Sequence, residues 1–338
     1  MSSMKRASMI EILMIVLIFS SSIAYSQILP PPLPFTRLQL PLRTVGTEAS
    51  AFDLTGNGPY TSVADGRVLK YQGPRFGFTD FATTSPLRTK LVCDGTNNPS
   101  LVIICGRPLG LGFYNKTGDL YIADVHYGLL VVGPNGGLAT QLVSGIDGLP
   151  FAFTNALDID QLADTIYFID SGPLFRATRN INLILQSRDR SGRLFKYDIR
   201  TKQVTLLLRG LAGPAGVAVS ADGSYVLVTE LIANRILRFW VKGTKANTVE
   251  VFTNLNGYPD NIKRTNVGDY WVAVNIVNQQ STTPAKFAFG QRVNLLGNVF
   301  LTLNFTAQFR NSISEVQQRS GRLYVGSLEE NFVGVYGP

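Results

Sequence analysis

The sequence predicts an all-β fold, a six-bladed β-propeller with four-stranded blades, and two observations support this prediction. A turn containing Gly or Asp, followed by a short run of β-branched and aromatic residues, recurs at residues 118–124, 164–170, 223–230, 268–274 and 321–327. A second motif, in which Gly-Arg or Asn-Arg precedes alternating apolar and basic residues, predicts further strands at residues 66–71, 192–197 and 234–239. A repeat of about 50 residues is typical of propeller blades. Five copies and the N-terminal segment 48–71 therefore predict six blades.

The ring must close, because an open ring would expose strand edges. Residues 48–71 lack a full blade of their own, so we expect them to pair with the C-terminal blade. A β-sandwich is the alternative architecture. No long amphipathic helical pattern competes, and only a short helix near residues 178–185 is expected.

The N-terminus has the features of a signal peptide. Lys5 and Arg6 precede an apolar run, and Ala24-Tyr25-Ser26 has the small-x-small form of a cleavage site. The run is too short to span a bilayer comfortably, so we expect no stable membrane insertion after cleavage, with a retained signal anchor as the alternative. The predicted organisation is a signal peptide at 1–26, a Pro-rich lead-in at 27–45 and a single propeller domain at 46–338.

Composition narrows the function classes. The net charge is +8, and 16% of residues are charged. The basic residues are scattered and form no stripe interleaved with aromatic residues, so no nucleic-acid partner is predicted. The expected partner is a small-molecule substrate, and the sequence carries no signal of oligomeric state.

The chain has two cysteines, Cys93 and Cys105. In a secreted chain they predict one disulfide that closes a small loop. A zinc site would need more soft ligands, and His126 is the only histidine. Asn115 and Asn304 begin N-glycosylation sequons.

Polar residues finish the repeated strands. If these are the innermost strands of the blades, their last side chains line the central channel, where ligands bind at one mouth. The candidates are Asp124, Asp170, Glu230 and Asn275. The alternative is that they cap strands and bond to loop amides.

Glu315 is a further candidate, because it lies between apolar and small residues just before the last repeat. Burial would make it a desolvated carboxylate that transfers protons. The alternative is an acid at a strand edge that faces solvent.

Five motifs are distinctive, at residues 105–110, 129–133, 192–197, 257–264 and 322–327. With these motifs in order, the chain from about residue 46 to the C-terminus resembles the plant strictosidine synthase-like family. The resemblance implies a six-bladed propeller made in the secretory pathway, with the vacuole as destination and the extracellular space as the alternative. It also implies the Cys93–Cys105 disulfide and a relationship to calcium-dependent lactonases and esterases of the paraoxonase type.

In the enzyme that gives this family its name, a primary aromatic amine and an aldehyde condense and cyclise in a Pictet–Spengler reaction of alkaloid biosynthesis, without a cofactor. Its key glutamate falls on Glu315. The chemistry needs a base, because the amine must lose a proton before it attacks and a carbon-bound proton must leave after ring closure. Here Ile313 stands where that enzyme has a histidine, and Ser314 replaces an aromatic residue.

The hydrolytic relatives hold calcium at the channel floor. The matching positions are Glu48, Asn155, Asp260 and Asn261, whereas Ala215 stands where a further Asn is expected. A mixed set of oxygen donors suits Ca²⁺. The alternative is that these residues cap strands and turns. His126 is a weaker candidate for the base of such a hydrolase, its alternative being a structural hydrogen bond.

The sequence thus leaves three hypotheses. The first is an amine–aldehyde condensing enzyme, a lyase with Glu315 as base. The second is a Ca²⁺-dependent ester or lactone hydrolase, and the third is a non-catalytic propeller that binds a small molecule.

Overall fold

The structure, a computed structural model, describes residues 27–178, 180–278 and 285–338, and the predicted signal peptide lies outside them. Strands β1 (Ile28–Leu29) and β2 (Phe35–Gln39) precede six blades, in each of which consecutive strands pair antiparallel, while β1 adds a parallel edge to the fifth blade. Blade 1 contains β3 (Ser50–Ala51), β4 (Tyr60–Ser62), β5 (Arg67–Tyr71) and β6 (Phe78–Thr83). Blade 2 contains β7 (Pro108–Tyr114), β8 (Asp119–Asp124), β9 (Gly128–Val132) and, after β10 (Gly137–Leu138) on the edge of blade 1, β11 (Thr140–Val143).

The remaining blades repeat this order. A small hairpin, β12 (Gly145–Ile146) and β13 (Leu149–Pro150), leads to blade 3 with β14 (Thr154–Asp160), β15 (Thr165–Asp170), β16 (Gly192–Asp198) and β17 (Val204–Leu211). Blade 4 has β18 (Pro214–Val219), β19 (Tyr225–Glu230), β20 (Arg235–Trp240) and β21 (Val249–Asn254). Blade 5 has β22 (Tyr258–Arg264), β23 (Tyr270–Asn278), β24 (Ala285–Val293) and β25 (Val299–Asn304), and blade 6 begins with β26 (Glu315–Arg319), β27 (Arg322–Gly326) and β28 (Phe332–Tyr336). The six-bladed propeller is confirmed.

The ring closes differently from the expectation. Strand β2 pairs antiparallel with β28 and completes blade 6, whereas residues 48–71 build blade 1 together with β6. The closing strand therefore comes from the Pro-rich lead-in, which the sequence placed outside the propeller. Phe35 explains the choice, because its ring packs 4.7 Å from the ring of Tyr336.

The innermost strands are β3, β7, β14, β18, β22 and β26, since neighbouring blades touch through them. The repeated phrases form β8, β15, β19, β23 and β27, the second strands, so the expectation that they line the channel was wrong. A second strand is hydrogen-bonded on both sides and buried on both faces, which selects a continuous apolar run. Innermost strands carry polar residues and irregularities, so their sequence pattern is weaker.

Apolar clusters fill each space between adjacent blades. Between blades 1 and 2 the rings of Tyr60 and Phe113 meet edge to face at 4.8 Å. This burial supplies the main stabilisation and fixes the innermost strands around the channel.

Short helices lie outside the blades. They are α1 (Lys90–Cys93), α2 (Val102–Cys105), α3 (Pro173–Ala177) and α4 (Ile181–Gln186), with a 3₁₀ turn at Pro99–Leu101. The Cys93–Cys105 disulfide joins α1 to α2, as predicted. Helix α4 occupies the region where the sequence predicts a helix. None of the helices in the described ranges is long and apolar enough to cross a membrane.

Candidate functional site

Bulges in the innermost strands build the site. The pairing with the second strand shifts between Thr154 and Leu157, between Pro214 and Val217, and between Pro259 and Ile262. A bulge re-aims side chains at the point where two residues oppose one. The predicted positions Asn155, Ala215, Asp260 and Asn261 all fall within these bulges.

Glu315 is the first residue of β26 and only 1% exposed. Its Oε1 accepts a hydrogen bond from the Ser50 backbone N–H at 2.8 Å, and its Oε2 lies 3.2 Å from Lys263 Nζ. Burial raises the pKa of Glu315, and the positive charge of Lys263 partly offsets that rise. The structure therefore gives a buried carboxylate beside an ammonium group, not a solvent-facing acid at a strand edge.

The backbone before Glu315 is held by Asn275. Its Nδ2 donates to the Ile313 carbonyl at 2.8 Å, and its Oδ1 accepts from the Ile313 N–H at 2.9 Å. The Ile313 side chain is fully buried in the core between blades 5 and 6. Ser314 donates to the Glu48 carbonyl at 2.8 Å. Asn275 thus positions the Glu315 segment from the second strand and does not line the channel.

Glu48 and Asp260 add two more acids to this region. Burial raises the pKa of Glu48 to about 7, against the opposing charge of Arg107 and with a further contribution from Glu315. Burial, and then the charges of Glu48 and Glu315, raise the pKa of Asp260 well above its usual range. The buried carboxylates of Glu48 and Glu315 and the partly buried carboxylate of Asp260 therefore repel one another, and the cluster favours either bound protons or a bound cation.

Oxygen donors that suit a hard cation lie on the Glu48 side of this cluster and not on the Glu315 side. Glu48 Oε1 lies 3.4 Å from Asn261 Nδ2, and Glu48 Oε2 has no hydrogen-bond partner among the described residues. Asn155 Nδ2 donates to Ser171 at 3.1 Å. Throughout the described part of the chain no group of three His, Cys, Asp or Glu side chains has metal-ligand spacing. A calcium ion would rely on Glu48 and Asp260 with amide oxygens, since Glu315 already faces Lys263.

His126 lies elsewhere on the rim. Its Nδ1 is 2.8 Å from the Arg176 guanidinium of α3, and its ring packs edge to face against Tyr127. Burial and the charge of Arg176 lower its pKa. The structure brings His126 to α3 and does not place it in contact with Glu315 or Glu48.

The acidic residues at the ends of the second strands accept hydrogen bonds from backbone N–H groups of neighbouring loops and strands. Asp170 accepts from the Phe153 N–H at 2.7 Å and pairs with Arg193. Glu230 accepts from the Ala212 N–H at 2.6 Å and pairs with Arg235. Asp124 accepts from the N–H groups of Arg107, His126 and Tyr127. For these three residues the structure supports the capping alternative.

The two ends of the channel differ. At the end where the innermost strands begin, α3 and α4 pack with Ala215, Leu231 and Tyr258 and form a partial roof. At the other end a cavity of about 170 Å³ is lined by residues from five blades. Lys263 lines this cavity and also contacts Glu315.

Sequence reasoning missed Lys263 and Asp158. Asp158 is partly buried at the same cavity, where its carboxylate accepts hydrogen bonds from the Val219 and Ile159 N–H groups, and desolvation of this carboxylate raises its pKa. The only signal for Lys263 is its position two residues after Asn261 on one strand, which puts both side chains on the same face.

Six closed blades around a polar channel define the class of this protein as a six-bladed β-propeller. The family model described as strictosidine synthase matches residues 155–244. The chain is 43% identical over 305 residues to Protein STRICTOSIDINE SYNTHASE-LIKE 12 of Arabidopsis thaliana, covering 89% of each chain. It is 38% identical over 289 residues to strictosidine synthase of Catharanthus roseus, covering 85% of this chain and 82% of that one. The chain therefore belongs to the strictosidine synthase family, which includes an enzyme.

Solved structures show the same fold at low identity. A gluconolactonase from Xanthomonas campestris matches with a TM-score of 0.62 and 14% identity, over 90% of this chain and 93% of that one. Regucalcin, a calcium-binding protein from Agrobacterium tumefaciens, matches with a TM-score of 0.61 and 14% identity, over 93% and 96% of the two chains. At this identity the likeness concerns the fold.

Proposed function

We propose that the protein is an enzyme that condenses a primary aromatic amine with an aldehyde, using Glu315 as the base. The observation that carries this proposal is the buried Glu315 carboxylate in the channel wall, with Oε1 fixed by Ser50 and Oε2 beside Lys263. A carboxylate whose pKa is raised by burial exchanges protons efficiently near neutral pH. Membership in a family that contains strictosidine synthase supports the same reaction class.

In this reaction Glu315 first accepts a proton from the substrate ammonium. The free amine attacks the aldehyde carbon to give a carbinolamine. Protonated Glu315 then returns its proton to the carbinolamine hydroxyl, which leaves as water, so an iminium forms and Glu315 is again a carboxylate. After the aromatic ring attacks the iminium carbon, Glu315 accepts the proton from the ring carbon and aromaticity returns. A cation favours the ionised forms of Glu48 and Asp260, so the substrate ammonium would bind beside them in place of their protons. We place the protein in the secretory pathway, with the vacuole as destination.

The test compares Glu315→Gln with Glu329→Gln. Glu329 is half exposed and contacts only Lys286 among the described basic side chains, at 4.0 Å, so its amide variant is a matched control. With tryptamine and secologanin, beside other amines and aldehydes, we expect Glu315→Gln to lose at least about 100-fold in kcat/KM, the scale of general base catalysis. The circular dichroism spectrum should stay unchanged. Equal turnover by both variants would refute the proposal.

The second candidate function is a Ca²⁺-dependent ester or lactone hydrolase, and the carboxylates of Glu48 and Asp260 are the observation that favours it. Glu48 Oε2 is a buried acceptor without a protein partner in the described residues, and desolvation, followed by the charges of Glu48 and Glu315, raises the pKa of Asp260. A calcium ion would neutralise this repulsion and polarise a substrate carbonyl. Glu48, Asp260 and the amides of Asn155 and Asn261 would hold the ion.

Metal analysis and a substrate panel separate the candidates. The hydrolase predicts bound calcium in the purified protein, activity on aryl esters or lactones, and a lower Tm after chelation, because a ligand of the folded state stabilises it. Glu48→Gln should abolish calcium binding. An active, calcium-free protein would eliminate this candidate. Failure of every substrate in both panels would leave the non-catalytic binding propeller.

A further inference from the structure

We infer that Asn115 carries an N-linked glycan that covers the cavity end of the channel, so that small molecules reach Lys263 and Glu315 through the opposite, helix-covered end. This inference does not depend on which reaction the protein catalyses. It combines a sequon, an exposed turn, a cavity and a disulfide.

The disulfide indicates the compartment. Cys93 and Cys105 are bonded, and both are almost completely buried. Disulfides of this kind form in the oxidising secretory pathway, where Asn-x-Ser/Thr sequons are glycosylated. Asn115-Lys116-Thr117 is such a sequon.

The sequon lies on an ordered, accessible turn. Asn115 follows the last residue of β7, and its backbone N–H donates to Gln161 Oε1 at 2.9 Å. The Asn115 residue is exposed, and its side chain makes no hydrogen bond within the described ranges. Lys116 pairs with Asp164 on the neighbouring blade and holds the turn in place. The Asn115 amide is therefore free to receive a glycan.

The turn stands at the cavity. Asn115 and Lys263 line the same space of about 170 Å³, together with Asp158 and Gln317 from other blades. This space suits only a small molecule, and a glycan is bulky and solvated. A glycan attached to this wall would extend over the opening and hinder access to Lys263.

The second sequon provides a matched control. Asn304 ends β25, the fourth strand of blade 5, far from the innermost strands in the sheet order. It is only partly exposed, and its Oδ1 accepts from the Thr306 N–H at 2.9 Å. A glycan there would leave the channel unaffected.

The experiment uses the full chain secreted from a plant host, with peptide mapping of both sequons. Thr117→Ala removes the Asn115 sequon but keeps Asn115 in the cavity wall, and Asn304→Gln removes the other sequon. Access is measured as the rate of reductive methylation of Lys263 by formaldehyde and a borane. Lys245, whose side chain is 59% exposed, serves as the internal reference.

We expect a glycan on Asn115 and a Lys263 labelling rate, relative to Lys245, several-fold higher in Thr117→Ala than in the unaltered protein. Enzymatic deglycosylation of the unaltered protein should raise the rate equally, which guards against a folding effect of the substitution. Asn304→Gln should leave the rate unchanged. An unmodified Asn115, or equal Lys263 labelling with and without the glycan, would overturn the inference.

Discussion

Two opposing effects set the protonation of Glu315. Its side chain is almost completely buried, and burial favours the neutral acid because a carboxylate loses its hydration. The Lys263 ammonium at 3.2 Å favours the carboxylate. Burial is the larger effect, so the pKa is raised. Lys263 thus keeps a buried acid ionised enough to act as a base.

Lys263→Met tests this balance. Without the positive charge the pKa of Glu315 should rise further, and the acidic limb of the kcat/KM profile should move upward by on the order of one pH unit. The measurement is the pH dependence of kcat/KM, which reports ionisations of the free enzyme. Lys245→Met, at an exposed pair with Glu250, should leave the profile unchanged. A limb that stays in place or moves downward would contradict the role given to Lys263.

Glu48 makes a second residue-scale prediction, about stability in calcium-free buffer. Its pKa rises from 4.5 in its ordinary state to about 7 in the folded protein, so the folded state binds more protons than the unfolded state between these values. The contribution to the free energy of unfolding is full below pH 4.5 and is lost as the pH rises through 7. The loss is at most about 3 kcal/mol.

Urea unfolding at about pH 5 and about pH 7.5, with a chelator present, checks this sign. The unaltered protein should lose stability between the two pH values relative to Glu48→Gln, whose amide does not titrate. Saturating calcium should reduce the difference, because a cation favours the carboxylate. A gain of stability at the higher pH relative to Glu48→Gln would show that the sign is wrong.

The bulged innermost strands are the elements that the sequence could least reveal. The continuous apolar runs of the second strands predict strands at the correct positions, but the prediction that these are the innermost strands is wrong, and with it the placement of Asp124, Asp170 and Glu230 in the channel. A bulge adds one residue and breaks the alternation on which strand reading depends. Asn155 and Asp260 could be found because they match ligand positions of the hydrolytic relatives, whereas the ion pair of Lys263 with Glu315 depends on a contact between blades, and only the spacing of Lys263 from Asn261 gives a local signal for it.

Gly216 tests the importance of one bulge. A Cβ at this position would lie 2.7 Å from the Ile262 backbone nitrogen and 2.8 Å from the Asn261 Cα. Gly216→Ala should therefore push β22 away, lower the free energy of unfolding by about 1–3 kcal/mol, and reduce activity by displacing Asp260. Gly133 is the control, because the nearest atom to its Cβ would be 3.9 Å away.

Urea unfolding and activity assays of Gly216→Ala and Gly133→Ala test this prediction. Gly133→Ala should stay within about 0.5 kcal/mol of the unaltered protein. If Gly216→Ala proves equally mild in stability and activity, the close approach of β18 and β22 does not fix the site.

At the scale of the whole molecule, the repeat spacing predicted six blades because each blade buries its faces against two neighbours. The sequence predicts that an N-terminal segment closes the ring, which is correct, but the closing segment is β2 and not residues 48–71. Residues 48–71 carry the blade pattern, while Phe35–Gln39 is a short strand after a run of prolines and has no repeat phrase of its own. The pairing of Phe35–Gln39 with β28 depends on which strand edge the assembled blades leave unpaired, and the local sequence does not determine that edge.

Two truncations test the closure. Removal of the residues before 41 deletes β2 and with it the Phe35–Tyr336 contact, the Arg37 guanidinium over the Phe332 ring at 4.6 Å, and buried Leu40. Removal of the residues before 34 deletes only the exposed two-residue β1. Because an aromatic side chain lost from a packed contact costs about 3–5 kcal/mol, the longer truncation should destabilise the protein by at least that much and expose the β28 edge to self-association. The shorter truncation should change the urea midpoint little, and equal midpoints for both would show that β2 does not hold the ring closed.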